Sequence, residues 1–222
     1  MDFPVSTLAI ERAVRLVATA RLRDPVLLRL VDPGLLDDLA EIEGATSGRL
    51  RDEAGGGLFP GGRPHANFIN AAFAYFRPGE PNRFNNAQGA WYAALAVETS
   101  LAEVIFHMKR ELGRVNDWRA VIDYAEMWAS FAGAFTDLRG ITPAPECLHP
   151  DPAIGYPAGN RLAGQTMAAG CNGIVYPSVR HPGGTCLVAL WPHAVQSVAQ
   201  GRVLRLTWSG SPDPAVEIVN GG

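Results

Sequence analysis

Residues 83–107, RFNNAQGAWYAALAVETSLAEVIFH, constrain the fold more than any other stretch because a strand pattern changes there to a helix pattern. The run from Gly89 to Ala94 is short, apolar and aromatic, which is typical of a buried strand. From Ser100 onward, apolar residues recur at helical spacing, at Leu101, Val104, Ile105, Met108 and Leu112. We expect this unit to place an arginine, an aromatic face and a carboxylate around one cleft.

The composition predicts an ordinary globular protein. The chain has 222 residues, 47% of them apolar and 18% charged, which is enough for one well-packed domain or at most two small ones. A net charge of −3 argues against the clustered basic face that direct nucleic-acid binding requires. Three widely spaced cysteines fit a reducing compartment and neither a disulfide framework nor a zinc site. With no signal-peptide pattern and no apolar run of ~20 residues, we expect a cytoplasmic protein without a membrane partner.

The N-terminal segment, residues 6–21, predicts an amphipathic helix. Ser6 or Thr7 provides a possible N-cap. The apolar face of this helix consists of Ile10, Ala13, Val14 and Val17. Two interpretations remain open: the helix packs on the core of its own domain, or it binds a partner.

The next part of the chain is less regular. Residues 25–31, PVLLRLV, predict a buried strand that contains Arg29, and residues 35–43 predict a short helix. Residues 44–66 are rich in glycine and arginine, which is compatible with a phosphate-binding loop or with a surface loop. Neither of the common phosphate-binding glycine motifs is present. Residues 67–76 are apolar enough to be buried, with either secondary structure.

The C-terminal half predicts several strands and one helix. Residues 118–136 contain the strand-like run AVIDYAEMWASF, and we expect further strands in residues 173–178, 186–191 and 202–208. Five prolines in residues 140–158 predict a long loop, and residues 160–170 predict a helix that ends at Gly170. Many short strands with few helices indicate a single compact α+β domain.

Three residues of the opening stretch are candidates for chemistry: Arg83, Tyr92 and Glu103. Each also has a structural interpretation. Glu103 follows Ser100 by three residues, so the pair fits a capping box. Tyr92 fits a half-buried strand aromatic, and Arg83 fits a loop arginine in solvent. No metal-binding motif, grouped histidines or GxSxG elbow is present, and nothing favours Cys–His catalysis.

The order of these residues resembles the RES domain, a family named for its Arg, Glu and Ser. The family pattern is a Gly-Arg-Trp/Phe-Asn segment, a Tyr that ends a strand, a helix with Glu-Val-x-x-His, and a distant Pro-Ser. The matching positions here are Arg83-Phe84-Asn85, Tyr92, Glu103 to His107 and Pro177-Ser178. Asn82 stands where the family usually has Gly, and Arg29 best matches an early arginine of the family. The resemblance covers about residues 25–200.

The resemblance implies a fold and an activity. RES proteins are similar in fold to mono-ADP-ribosyltransferases such as diphtheria toxin, and they are toxins of bacterial toxin–antitoxin pairs that act on NAD. Some destroy NAD by hydrolysis or phosphorolysis, whereas the longer ParT type transfers ADP-ribose to phosphoribosyl pyrophosphate synthetase. The residues of this sequence resemble those of the ParT type more closely. We therefore expect an N-terminal helical extension in residues 1–24 and a RES-type NAD-binding catalytic domain in residues 25–222.

The resemblance also implies roles for the matching residues. Glu103 stabilises the cation that forms when the nicotinamide–ribose bond breaks, and Tyr92 holds nicotinamide by stacking. Arg83, together with Arg29, binds the diphosphate, and Ser178 hydrogen-bonds nicotinamide or ribose. NAD is a consumed substrate, no metal is needed, and an antitoxin covers the active site. A non-catalytic module that binds a nucleotide or a partner remains the alternative.

Overall fold

The computed structural model describes residues 3–19, 69–70, 72–73, 82–84 and 89–219. Within these residues, seven strands form one sheet that carries two helices. The strands are β1 (Val5–Ala18), β2 (Trp91–Ala94), β3 (Arg119–Asp137), β4 (Gly173–Pro177), β5 (Thr185–Ala189), β6 (Gln196–Ser209) and β7 (Ala215–Val219). The helices are α1 (Val97–Val115) and α2 (Pro152–Ala168), and 3-10 turns occupy Glu146–Leu148 and Pro192–Ala194. The predicted single α+β domain is confirmed.

The sheet closes on itself through its longest strands. The strand order is β1-β2-β5-β4-β3-β6-β7, and β1 also pairs with β3. Five strands therefore form a closed ring, β1-β2-β5-β4-β3. Strand β6 pairs with β3 outside this ring, and β7 pairs with β6. Only the pairing of β3 with β4 is parallel among the described strands, so the other neighbours meet as antiparallel pairs.

The helix predicted for residues 6–21 is wrong over residues 5–18, which form β1 and pair with β3 from Val5 opposite Thr136 to Ala18 opposite Tyr124. The pairing shifts register between Ile10 and Ala13. A bulge of this kind reverses which residues face inward, so Ile10, Ala13 and Val17 pack against one core cluster, while Val14 belongs to another. The helical spacing therefore arose from an interrupted two-residue alternation. Consequently, the predicted N-terminal extension is not helical in this part.

The elements after residue 90 follow the prediction with two exceptions, the start of α2 and strand β7, which the sequence analysis did not predict. Strands β2, β3, β4, β5 and β6 lie where the sequence predicts strands, and α1 lies where it predicts a helix. The loop predicted for residues 140–158 is wrong from Pro152 onward, where α2 begins. Asp151 caps this helix by accepting a hydrogen bond from the N–H of Ala153, and proline is compatible with the first helical turn. Gly170 follows the helix with a φ of +72°, as its role as a stop predicts.

Several predictions fall on residues that the structure does not describe. They are the strand containing Arg29, the short helix of residues 35–43, the glycine-rich segment, most of residues 67–76 and the boundary after residue 24. In the described part, neither helix is long and apolar enough to cross a membrane.

The apolar core positions the turn that carries Arg83. Phe84 is fully buried and packs edge-on against Tyr176 of β4, with 4.9 Å between the ring centroids. Both belong to a cluster that joins α2, β4 and β5, including Leu138, Leu162, Ile174 and Val188. Burying a Phe side chain stabilises a fold by about 1.5–3 kcal/mol, so Phe84 fixes the turn at Arg83 to the core.

Candidate active site

Glu103 points from α1 toward the loop that follows β4. Its Oε1 accepts a hydrogen bond from the Ser178 hydroxyl, with 3.0 Å between the oxygens. The helix begins six residues earlier at Val97, and no side chain caps it. The Ser100 hydroxyl instead accepts a hydrogen bond from the N–H of Leu16 in β1, at 3.3 Å. The capping-box interpretation of Ser100 and Glu103 is therefore wrong, because neither residue lies at the end of the helix.

The Ser178 hydroxyl has a defined direction. Its oxygen accepts hydrogen bonds from the backbone N–H groups of Arg180, at 3.2 Å, and His181, at 3.1 Å. A hydroxyl has two acceptor sites and one proton. With both acceptor sites used by the loop, the proton is directed to Glu103. Ser178 therefore holds the carboxylate in one position.

The loop after β4 is tied to α1 at a second point. His181 Nδ1 and Thr99 Oγ1 are 2.8 Å apart, within hydrogen-bond distance. A side chain at Gly184 would place its Cβ 2.5 Å from the same Thr99 oxygen, closer than atoms can approach. Glycine at position 184 thus allows the loop to lie against the first turn of α1. Both contacts fix the position of Ser178 relative to Glu103.

Opposing effects act on the Glu103 carboxyl group. Its removal from water raises its pKa, while the Ser178 hydrogen bond and the positive charges of Arg180 and Arg83 lower it, with a net increase. The Cys186 thiol lies 3.9 Å from the same Oε1 atom. Burial raises the pKa of Cys186 to about 12, so this thiol is neutral at physiological pH and is a poor nucleophile. The geometry thus favours chemistry at the carboxylate.

Arg83 is buried, with 8% of its surface exposed, so its interpretation as a solvent-exposed loop arginine is wrong. Its Nη1 donates hydrogen bonds to the backbone carbonyls of Cys147, at 2.6 Å, and His149, at 3.1 Å. Its guanidinium carbon lies 5.4 Å from the centroid of the Tyr156 ring. A Cβ at Gly155 would lie 2.6 Å from the backbone carbonyl oxygen of His149 and 2.8 Å from Nη1, so glycine there leaves room for both partners of this hydrogen bond.

Tyr92 on β2 connects the strand to the arginine turn. Its hydroxyl accepts a hydrogen bond from the backbone N–H of Phe84, at 2.8 Å. Burial raises the pKa of Tyr92 above its ordinary value, so the hydroxyl stays protonated at neutral pH. The position of Arg83 therefore depends on Tyr92. Stacking of nicotinamide on the Tyr92 ring stays a prediction.

The structure adds one prominent residue that the sequence analysis did not select. The guanidinium carbon of Arg180 lies 3.4 Å from the centroid of the Phe106 ring, and its Nη2 donates to the carbonyl of Pro150 at 2.8 Å. Removal from water and the charge of Arg83 lower the pKa of Arg180. The sequence signal that could have indicated Arg180 is its position two residues after Ser178, in a loop directly after a strand.

The four matching residues that the structure describes lie close to one another. Glu103 and Ser178 contact each other, Tyr92 supports the turn of Arg83, and the charge of Arg83 acts on both Glu103 and Tyr92. Arg29 lies outside the described residues. Among the described residues, no three His, Cys, Asp or Glu side chains are grouped as metal ligands would be.

Comparison with known protein families identifies the chain. The family model of the RES domain matches residues 61–209, which include Arg83, Tyr92, Glu103 and Ser178 but not Arg29. No curated protein matches the sequence. Because the matched region covers well over half of the chain, the protein belongs to the RES-domain family.

Proposed function

We propose that this RES-domain protein consumes NAD by breaking the bond between nicotinamide and ribose, and transfers the ADP-ribose to a protein. RES domains are linked to toxin-like, NAD-using activity. The observation that carries the proposal is the half-buried Glu103 carboxylate, held by the Ser178 hydroxyl at 3.0 Å and lying within the electrostatic reach of Arg83. Asp137 is also buried but pairs with Arg139, whereas Glu103 forms no salt bridge among the described residues that would account for its removal from water.

The residue types suit this reaction. When the bond breaks, both bonding electrons go to the nicotinamide nitrogen, which becomes neutral, and positive charge develops on the ribose ring. A fixed carboxylate stabilises that charge without reorganising during the reaction. Glu103 is suited to this task in its ionised form. Nicotinamide leaves as a neutral molecule, so the step needs no second carboxylic acid as a proton donor.

The binding roles follow from shape and charge. A guanidinium forms paired hydrogen bonds with phosphate oxygens, which is the role proposed for Arg83, with Arg29 as a further candidate. An aromatic face holds the nicotinamide ring by stacking, which is the role proposed for Tyr92. Ser178 positions Glu103 in the free protein. Its proposed hydrogen bond to nicotinamide or ribose would therefore form close to the Glu103 carboxylate.

By resemblance to the ParT type, the acceptor of ADP-ribose is a protein, and phosphoribosyl pyrophosphate synthetase is the proposed target. Modification of that enzyme would stop nucleotide synthesis and growth. A toxin of this kind needs a cognate antitoxin, and we propose that a segment of the antitoxin enters the cleft near Arg83.

The proposal is tested by incubating the purified protein with NAD and a bacterial lysate, beside Glu103→Gln. Mass spectrometry then measures NAD, free ADP-ribose and modified proteins. We expect one or more lysate proteins to gain the mass of ADP-ribose with the wild type and not with the variant. The same reaction with purified phosphoribosyl pyrophosphate synthetase tests the proposed target.

Other outcomes identify other functions. Loss of NAD with release of free ADP-ribose, and no modified protein, would show that water is the acceptor. Release of a phosphorylated ADP-ribose would show that inorganic phosphate is the acceptor. Intact NAD in all samples would contradict the proposal and leave a module that binds a nucleotide or a partner without catalysis.

A further inference from the structure

Arg180 has the features of a ligand-binding arginine. Its guanidinium stacks on the Phe106 ring at 3.4 Å, and one of its amino groups is held by the carbonyl of Pro150 at 2.8 Å. Stacking and a hydrogen bond restrict a side chain that otherwise has many rotamers, which lowers the entropy lost when a ligand binds. The side chain is half-buried, so part of it remains accessible to a ligand.

Arg180 and Arg83 meet at the same short segment. Arg83 donates to the carbonyl of His149, and Arg180 donates to the carbonyl of the next residue, Pro150. Neighbouring residues of a chain have Cα atoms only about 3.8 Å apart, so the two guanidiniums approach one another. The two arginines come from distant parts of the sequence, yet this segment brings them together.

Neither guanidinium forms a salt bridge with a carboxylate of the described residues. Seven other described cations do, namely Lys109, Arg114, Arg119, Arg139, Arg161, Arg202 and Arg205. The charge of the Glu103 carboxylate acts on Arg180, and the proposed reaction needs that charge for the ribose. Two half-buried or buried cations beside one carboxylate leave an excess of positive charge, which an anionic ligand would balance.

We propose that Arg180 and Arg83 together form the binding site for the diphosphate of the nucleotide, with Arg180 as a previously unassigned phosphate-binding residue. The inference rests on the proposed function for the identity of the nucleotide. Two planar guanidiniums suit a diphosphate because each can bind one phosphate group through paired hydrogen bonds. A bound diphosphate would also remove the repulsion between the two cations. Phe106 acts as the platform that keeps the Arg180 plane in place.

The test is a binding measurement that does not depend on turnover. ADP-ribose and inorganic pyrophosphate are titrated by calorimetry into the wild-type protein, Arg180→Gln and Arg180→Lys. Hydrogen bonds to charged groups predict that Arg180→Gln weakens binding of both ligands about 10- to 100-fold. Lysine keeps the charge but not the planar fork, so we expect an intermediate loss. Arg161→Gln is the matched control, because Arg161 is an exposed arginine that pairs with Glu146.

The outcomes separate this inference from the proposed function. Binding by Arg180→Gln as tight as that of the wild type, or no pyrophosphate or ADP-ribose binding by the wild type, would overturn the phosphate role of Arg180. If Arg180 is needed for binding but NAD remains intact, the diphosphate site stands and the proposed reaction fails. Should thermal unfolding show that Arg180→Gln is not folded, Arg180→Lys decides: binding equal to that of the wild type would contradict the planar two-phosphate site.

Discussion

The hydroxyl of Ser178 donates a hydrogen bond to Oε1 of Glu103 over 3.0 Å, joining two residues that are 75 positions apart in the chain. The contact connects α1 to the loop after β4. The same hydroxyl oxygen accepts two backbone N–H groups, so the loop determines where its proton points. The result is a carboxylate with a fixed orientation, a raised pKa and two guanidiniums whose charges act on it.

Replacing Glu103 with Gln should strongly reduce NAD turnover while the protein remains folded. Glutamine has nearly the same size and can still accept the Ser178 hydrogen bond, but it cannot stabilise a developing cation by charge. Loss of such an electrostatic contribution typically lowers kcat by about 100- to 1000-fold. The measurement is kcat for NAD consumption by purified proteins.

The matched control for that experiment is Glu111→Gln. Glu111 lies on the same helix, but it is exposed and pairs with Arg114. We expect its kcat to stay within about twofold of the wild type. Equal activity of Glu103→Gln and the wild type would exclude Glu103 from the reaction.

The same substitution should not destabilise the protein at neutral pH. The pKa of Glu103 is raised in the folded state, so the folded protein binds more protons than the unfolded chain between pH 4.5 and that raised pKa. Stability therefore falls as pH rises through this window, and an ionised Glu103 is unfavourable at pH 7. We expect the Tm of Glu103→Gln to equal or exceed that of the wild type at pH 7 by up to about 5 °C, with the difference shrinking below pH 4.5. A much lower Tm at pH 7 would indicate a structural role.

Removing the Ser178 hydroxyl should change the pH dependence of the reaction. The Ser178 hydrogen bond lowers the pKa of Glu103, so Ser178→Ala should raise that pKa further. The acid limb of the profile of kcat against pH would then move to higher pH, with partial recovery of activity in alkaline solution.

Ser178→Thr keeps a hydroxyl and should restore much of the original profile. Ser211→Ala, at an exposed position, should leave it unchanged. A Ser178→Ala protein whose activity falls equally at every pH, without a shift of the acid limb, would mean that Ser178 does not act through Glu103.

Two substitutions of Tyr92 should separate its hydroxyl from its ring. Tyr92→Phe leaves the Phe84 N–H without its acceptor, which should lower the free energy of unfolding by about 1–3 kcal/mol. If the ring holds nicotinamide, Tyr92→Phe should retain kcat/KM within about tenfold, whereas Tyr92→Leu should lose considerably more. Denaturant unfolding and NAD kinetics measure the two effects. Equal kcat/KM values for the Phe and Leu variants would argue against stacking.

Asp137 should stabilise the protein independently of the cleft. Hydrogen bonds from Arg139 lower the pKa of Asp137 to about 2, against an ordinary value of 3.8, with a further contribution from the Ser6 hydroxyl. A carboxylate with a lowered pKa stabilises the fold above pH 3.8, and this contribution disappears as pH falls through about 2.

At pH 7, Asp137→Asn should therefore lower the free energy of unfolding by about 1–2 kcal/mol, a modest value because Arg139 is partly exposed to solvent. The difference from the wild type should vanish in acid. Asp213→Asn is the control: Asp213 pairs with Lys109 but is 80% exposed, so we expect a change below about 0.5 kcal/mol. Equal effects of the two substitutions would show that burial of Asp137 adds nothing.

The sequence by itself determined most of the regular elements after residue 90 and four candidate residues, Arg83, Tyr92, Glu103 and Ser178. Some properties are local because they depend on neighbouring residues only. They include the helical period of α1, the apolar run of β4 and the end of α2 before Gly170. The order of Arg83, Tyr92, Glu103 and Ser178 led to the family, and the family model confirms that membership.

The tertiary structure decided the features that depend on distant partners. Residues 5–18 became a strand because β3 pairs with them, and a register shift disguised their alternation. Glu103 serves no helix cap because its partner, Ser178, lies in another part of the chain. Arg83 is buried because the carbonyls of Cys147 and His149 accept its hydrogen bonds and glycines of α2 leave room for it. Arg180 binds the carbonyl of the next residue, Pro150. Spacing along a sequence reports which face of an element is apolar, but it does not report which residues from distant segments meet there.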